Sequence, residues 1–292
     1  MKSKKGLNVL SLFDGMSGGQ IALNRIGIKP AKYYASELDT YAIKVTQANY
    51  PDTIQLGDVT EWRGWDIDWP SIDLLIGGSP CQGFSFAGKQ LAFDDPRSKL
   101  FFVYVEILNH IRSVNPDVKF MLENVKMKKE YLGVISEHLG VEPVFINSEV
   151  CCPVSRPRYY WANWFFDQPK PVDIFFSDVL LNDLVEMSPA WHKWWESNKE
   201  FQTKKGYSKV PASGEKGICM TARQYSSWNG NFVEVGGVYK KPGIGSLAAL
   251  VGAPCDYLTK VSQQQAEVLT GNGWSVDVIA HIFNSIESAN EN

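Results

Sequence analysis

The sequence predicts an α/β fold, a sheet of mainly parallel strands with helices on both faces. Short apolar runs recur and each stops at Gly, Asp, Glu or Pro, with helical patterns between them. Strands are expected at Val9 to Phe13, Tyr33 to Ser36, Thr53 to Leu56, Ile72 to Ile76, Phe120 to Leu122 and Tyr159 to Trp164. Helices are expected at Gln20 to Ile26, Thr40 to Asn49 and Phe101 to Val114. After about Phe166 the periodicity fades, and Trp, Gly, Ser and Lys become common. Helical spacing returns from Ser262 to Ile286. Three parts are therefore expected: a first domain at 1–166, a separate region at 167–245, and a return to the first domain at 246–292.

Composition narrows the function classes. The chain has 292 residues, 44% of them apolar, which suits a sizeable core. Net charge is −3, so any basic surface has to be local. Residues 199–241 supply one, with eight Lys/Arg against three Glu, a local net of +5. Five cysteines, unpaired in spacing apart from adjacent Cys151 and Cys152, argue for a reducing cytoplasm and against a disulfide scaffold. Met1 to Gly6 is basic but lacks the apolar run of a signal peptide, and no stretch reaches the ~18 apolar residues of a membrane helix. No targeting signal or membrane partner is expected. With four histidines and no close Cys/His cluster, no metal site is expected either.

In an open parallel sheet, ligands sit beyond the carboxyl ends of the strands. Phe13-Asp14-Gly15-Met16-Ser17-Gly18-Gly19 joins a strand to a helix, and its glycines permit close backbone approach to a ligand. Glu37, one strand later, offers acceptors for ribose hydroxyls, and Asp58, after the third strand, offers one for an adenine amino group. The trio suits either a dinucleotide or S-adenosylmethionine. The loop lacks Gly-x-Gly-x-x-Gly spacing, which favours the latter.

The reactive group follows the fourth strand, in Gly78-Ser79-Pro80-Cys81-Gln82-Gly83-Phe84-Ser85. A lone cysteine is more often a small buried hydrophobe. Here Glu123-Asn124-Val125 ends the next strand and Arg156-Pro157-Arg158 enters a later one. A thiol, an acid and paired guanidiniums in one crevice suit covalent catalysis on a polar ring.

These pieces, in this order, resemble the cytosine-5 DNA methyltransferase family: Phe13-x-Gly15, Glu37, Asp58, Pro80-Cys81-Gln82, Glu123-Asn124-Val125 and Arg156-x-Arg158. Asp95 to Phe101 resembles the segment leading into the helix after the family's catalytic loop, and Gly271 to Val276 resembles its last motif, which packs beside the cofactor. Trp274-Ser275-Val276 and Arg156 to Trp161 are worded most like the animal de novo branch. Two positions depart from the family: Met16-Ser17 in the first loop, and Val154 where bacterial members often have Gln.

The resemblance implies a Rossmann-like mixed sheet of the S-adenosylmethionine-dependent methyltransferase type with a small target-recognition domain. It implies methyl transfer to carbon 5 of a cytosine flipped out of double-stranded DNA, leaving S-adenosylhomocysteine. Cys81 would be the nucleophile, with Glu123, Arg156 and Arg158 completing the catalytic set. Phe13, Asp14, Gly15, Gly18, Glu37, Leu38, Asp58, Val59, Ser79, Pro80, Leu100, Trp274, Ser275 and Val276 would bind the cofactor. Gln82, Ser85 and Asn124 would meet the DNA. So would Lys204, Lys205 and Arg223 of the basic segment, where Lys209 and Lys216 are further candidates. Trp191, Trp194 and Trp195 fit helical spacing and are expected in a core. The loop from Phe84 to Arg97 is a candidate lid over the base.

Overall fold

The computed structural model describes residues 6–80, 99–224 and 228–286. The chain divides into two compact units. One takes the residues up to Ile146, Pro157–Gln168 and the chain from Ala280 onward; the other takes Asn147–Arg156 and Pro169–Ile279.

The first unit alternates strand and helix: β1 (Asn8–Leu12), α1 (Gly18–Arg25), β2 (Lys32–Ser36), α2 (Thr40–Asn49), β3 (Ile54–Gln55), β4 (Leu74–Gly77), α3 (Lys99–Val114), β5 (Lys119–Val125), α4 (Lys129–Leu139), β6 (Val144–Asn147) and β7 (Pro157–Ala162). The strands form one seven-stranded sheet in the order β3-β2-β1-β4-β5-β7-β6. The central strands are buried on both faces, which is why they read as unbroken apolar runs. Tyr104 of α3 is fully buried and donates from its hydroxyl to the Met121 carbonyl at 3.1 Å, so the packed ring carries no unmet polar atom. The six expected strands are present within a few residues. The fold is a mixed α/β sheet whose β3-β2-β1-β4-β5 order is Rossmann-like.

Two features had weaker signals. α4 opens on Lys129-Glu130 and carries Gly133, yet Tyr131, Ile135 and Leu139 keep an i, i+4 apolar stripe. Gly140 ends that helix at φ 74°, the left-handed cap that glycine adopts without strain. β7 runs antiparallel to β5, a direction that no strand composition encodes.

The second unit is irregular. Its longest helix, α5 (Pro189–Lys204), lies between the short strand β8 (Val185–Glu186) and a run of short strands: β9 (Ser208–Lys209), β10 (Gly230–Asn231), β11 (Val233–Val235) and β12 (Val238–Lys241). One of its apolar clusters is small: Trp191 and Trp195 stack at 5.4 Å and close on Phe232, with Trp194 packed at the edge. Trp191 and Trp195 are core, as their spacing predicted, and Trp194 lines it.

The expected divide at 245 differs from the observed one. α6 (Ile244–Leu250) and α7 (Gln263–Asn272) group with the second unit, and α8 (Val276–Asn284) begins there and ends in the first. The reason is polar. The Asp183 carboxylate accepts from the Gly245 and Ser246 amides and the Ser246 hydroxyl, which ties α6 to the segment before α5. Residues 147–156 also belong here, because Val154 bridges Gly217 and the Ser155 amide donates to the Gly217 carbonyl.

Gly77, the last residue of β4, lies where the chain has to pass closely. A Cβ there would sit 3.0 Å from the Tyr104 ring and 3.1 Å from the Leu12 carbonyl oxygen. Gly77→Ala should cost about 1–3 kcal/mol, the usual range for overpacking. Chemical denaturation of the full chain measures it, and an unchanged midpoint would show that the ring moves freely.

Candidate active site at the carboxyl edge of the sheet

The strand register assembles the site. Leu12 pairs with Ser36 on one side and Gly77 on the other, and Gly77 pairs in turn with Leu122. The chain therefore leaves β1, β2, β4 and β5 side by side, bringing Phe13, Glu37, Gly78 and Glu123 to one edge. β1 and β4 lie where the strand order reverses, the place where such sheets bind ligands.

The first loop is wound tightly. Phe13, Gly15 and Ser17 all take left-handed backbone angles, φ 58°, 57° and 62°. Two of them carry a Cβ, so the loop holds strain that its surroundings have to fix. Glu37 does much of this. Its Oε2 accepts from the Gly15 amide at 2.7 Å, and its Oε1 accepts from the Leu38 and Asp39 amides at 2.7 and 2.8 Å. Three of its roughly four lone-pair sites are thus taken, leaving one rather than two for a ribose hydroxyl. Asp58 caps the next turn by accepting from the Thr60 amide and hydroxyl through Oδ1. Its Oδ2 has no hydrogen-bond partner among the described residues. Leu38 is 64% exposed, an apolar surface suited to one face of a flat ring. These groups fit an adenosine. Val59 is buried in the core, Leu100 packs against it, and Gly18 is buried at the start of α1.

Sequence reasoning missed two supports. Ser36 donates to the Gly57 carbonyl at 2.7 Å, joining β2 to the Asp58 turn. Tyr33 donates to Asp14 Oδ1 at 2.8 Å.

At the other half of the edge, Glu123 pairs with Tyr160 and Val125 with Arg158 across β5 and β7. Glu123 and Arg158 are therefore diagonal neighbours on one sheet face, within reach of long side chains. Arg158 Nε lies 2.7 Å from Glu123 Oε1, and both side chains are nearly buried. The contact is ionic rather than a well-directed hydrogen bond. Asn124 points the other way, is 1% exposed, and donates to the Ser79 hydroxyl at 3.1 Å and carbonyl at 3.4 Å. Its own oxygen accepts from the Val125 amide. Asn124, expected to meet DNA, instead holds Ser79 and hence Pro80. Cys81, Gln82, Ser85 and the candidate lid lie outside the described residues.

Arg156, expected in the catalytic set, has another position. It belongs to the second unit, is 6% exposed, and donates to the carbonyls of Met220, Gly271 and Asn272 at 3.2–3.4 Å. A buried guanidinium bonded to the last carbonyls of α7 is a helix C-terminal anchor. It joins that end to the Met220 segment, where Gly271 runs so close to Thr221 and Ala222 that a Cβ would collide with their backbone. Trp274 is partly exposed, while Ser275 and Val276 are buried in the same unit, with the Val276 amide on the Val251 carbonyl. Lys204, Lys205 and Arg223 are exposed. Lys216 is spent internally, on the carbonyls of Cys152, Val172 and Ile174. Lys209 pairs with Glu215 at 3.0 Å.

Two outcomes follow from this geometry. Burial pushes the Asp14 carboxyl up to about 6 from 3.8, against the opposing hydrogen bonds of Ser11, Ser17 and Tyr33. The folded state therefore holds the proton more tightly than the unfolded one. The stability this gives is full below 3.8 and lost as pH rises through 6. Relative to Asp14→Asn, the wild-type chain should lose roughly 1 kcal/mol between pH 5 and 7.5, since one pKa unit is about 1.4 kcal/mol. Denaturant unfolding at the two pH values gives the difference; equal changes in both proteins would rule the shift out. Arg156→Ala should destabilise the chain by at least about 2 kcal/mol, as hydrogen bonds to a charged group are worth 1.5–3 each. Arg156→Lys should recover only part of this, because a point charge cannot serve three divergent carbonyls.

The family model for C-5 cytosine-specific DNA methylases matches residues 7–134. The type II methyltransferase M.HhaI of Haemophilus parahaemolyticus is 27% identical over 332 aligned residues, covering 99% of this chain and 96% of that protein. M1.ScrFI of Lactococcus lactis subsp. cremoris, also a type II methyltransferase, is 29% identical, covering 93% and 75%. The orphan methyltransferase M.SPRI of Bacillus phage SPR is 42% identical over 167 residues, covering 53% and 37%. Among solved structures, the Entamoeba histolytica methyltransferase EhMeth superposes with a TM-score of 0.75 at 16% identity, covering 99% of this chain and all of that one. The S. pombe Dnmt2 methyltransferase does so with 0.72 at 16% identity, covering 97% and 99%, and both show the shared fold. The segment matched by the family model holds β1 through β5, the strands whose ends form the site edge, so the chain is similar to the C-5 cytosine-specific DNA methylases over that segment and to type II methyltransferases along nearly its whole length.

Proposed function

We propose that the chain methylates a cytosine flipped out of double-stranded DNA through a covalent adduct with Cys81. The observation that carries this reading is the Glu123–Arg158 pair, one strand from the Ser79-Pro80 lead into Cys81. Carbon 5 of cytosine is a poor nucleophile within an aromatic ring. A Cys81 thiolate adding to carbon 6 makes it enamine-like. The Glu123 carboxyl meets ring nitrogen 3 and the exocyclic amine, and Arg158 meets the carbonyl oxygen. Between them they offset the charge that develops as sulfur adds. Without a base, acid and guanidinium neutralise each other; an entering cytosine would exchange that contact for its own hydrogen bonds.

Bound S-adenosylmethionine supplies the methyl group to carbon 5. Glu37, Asp58 and the loop from Phe13 would hold its adenosine, with the exposed Leu38 offering apolar surface to the ring. Ser79 and Pro80 stand at the border between cofactor and base. After transfer, a base removes the carbon-5 proton, the electron pair re-forms the ring double bond, and Cys81 leaves as thiolate. A stacked duplex would shield carbon 6 from sulfur, so the cytosine has to leave the stack, as it does for methyltransferases generally. The exposed Lys204, Lys205 and Arg223 supply phosphate contacts in the second unit.

Cytosine fluorinated at carbon 5 tests the scheme. Addition and methyl transfer proceed, but fluorine does not leave as a cation, so the enzyme should stay bound to the duplex. Denaturing electrophoresis should show a shifted band only when S-adenosylmethionine is present, and none with Cys81→Ala. Glu123→Gln should slow trapping by about 10²–10⁴-fold, the usual worth of one positioned acid–base group. A band of equal strength with Cys81→Ala would remove Cys81 as nucleophile. Stronger trapping by fluorinated transfer RNA would remove DNA as the substrate.

A further inference from the structure

Outside the site described above, the second unit brings two thiols together. Consecutive side chains in an extended chain point apart, but Cys151 and Cys152 do not. A short 3-10 turn, Ser148–Val150, precedes them, and both of their amides donate to the Ser148 carbonyl, at 2.9 and 2.8 Å. Cys151 takes φ −138° and ψ 4°, which bends the chain back and leaves the two sulfurs 3.8 Å apart. The Lys216 ammonium also donates to the Cys152 carbonyl at 3.1 Å, so groups other than the thiols hold the bend. Both cysteines are free; Cys151 is half-buried and Cys152 is buried.

From this geometry we infer that Cys151 and Cys152 form a bidentate capture site for a monosubstituted trivalent arsenical. The choice of ligand follows from the donor count. No group of three His, Cys, Asp or Glu side chains able to hold a metal ion occurs among the described residues, so a tetrahedral cation would lack ligands. An arsenical of this class needs only two sulfurs, because its third bond goes to its own organic group. Soft thiolates are its natural donors.

The order of attack is set by the surroundings. The contact between the two thiols holds the Cys151 proton affinity below the usual thiol range, whereas that same contact and then burial push Cys152 up. The more accessible Cys151 attacks first as thiolate, and Cys152 then closes the ring. With phenylarsine oxide as reactant, two As–S bonds form and the As–O bond breaks. Oxygen leaves as water with the two thiol protons, and no redox change occurs. A five-membered ring cannot form from adjacent residues; the chelate closes through the intervening peptide.

Phenylarsine oxide added to the full-length chain tests the site independently of methyl transfer. After washing with excess glutathione, intact-mass measurement should show one arsenical per chain. Alkylation and peptide mapping of the same sample should find Cys151 and Cys152 protected, with Cys81, Cys219 and Cys255 alkylated. A dithiol such as 2,3-dimercaptopropanol should release the adduct. Cys151→Ser should lose it in the glutathione wash, while Cys81→Ala should keep it. An arsenical absent after that wash, or protection mapped to other cysteines, would overturn the proposal. The mapping uses the unaltered chain, so the result does not depend on whether a variant folds.

Discussion

The site depends above all on the antiparallel pairing of β5 with β7. In that register Val125 faces Arg158, which puts Arg158 diagonally across from Glu123 on the same face. A parallel strand would send its first residues to the opposite edge of the sheet and take the guanidinium with them. A register slip of one residue would turn Arg158 to the other face. Pro157 at the start of β7 suits this arrangement, since the first residue of a strand can forgo its amide. Charge and strand direction thus constrain each other. The acid gains its nearby cation only because the sheet reverses direction there.

A second constraint keeps this half of the edge in place. Asn124 lies between Glu123 and Val125 and points to the opposite face, where it holds Ser79. One short stretch of β5 therefore has two tasks, an acid on one side and a clamp on the other. The two tasks alternate because strand side chains alternate. On the cofactor side Glu37 has a comparable double duty. Its amide contacts hold a loop in which Phe13 and Ser17 adopt strained angles, so the acid proposed to bind the cofactor also keeps the loop wound.

Much of this was legible in the sequence, and the physical reasons are specific. β1, β2, β4 and β5 announced themselves because strands buried on both faces have to be apolar throughout. The edge residues Phe13, Glu37, Asp58 and Glu123 were legible because each directly follows such a run. Arg156 was misplaced for the same reason that Arg158 was found. Two cations two residues apart look alike in a sequence, yet one enters the strand and the other caps α7, 115 residues further on. Asn124 was read as a substrate contact because it stands beside the candidate acid Glu123; only the register shows that it faces inward. The domain boundary was set at 245 by the return of helical periodicity, whereas the observed grouping follows the Asp183–Ser246 hydrogen bonds, which periodicity does not register.

The internal use of lysines in the second unit has a consequence for ionic strength. Residues 199–241 carry eight cations. Of these, Lys199, Lys209 and Lys241 are paired with Glu196, Glu215 and Glu267, and Lys216 is committed to backbone carbonyls. At most four can displace counterions from a phosphate backbone. Each neutralised phosphate contributes about −0.9 to the slope of log affinity against log salt, so this segment can account for a slope no steeper than roughly −3.6, against the roughly −7 that its composition suggests. Any nucleic acid held by this segment should therefore stay bound in moderate salt better than a simple count of its basic residues implies.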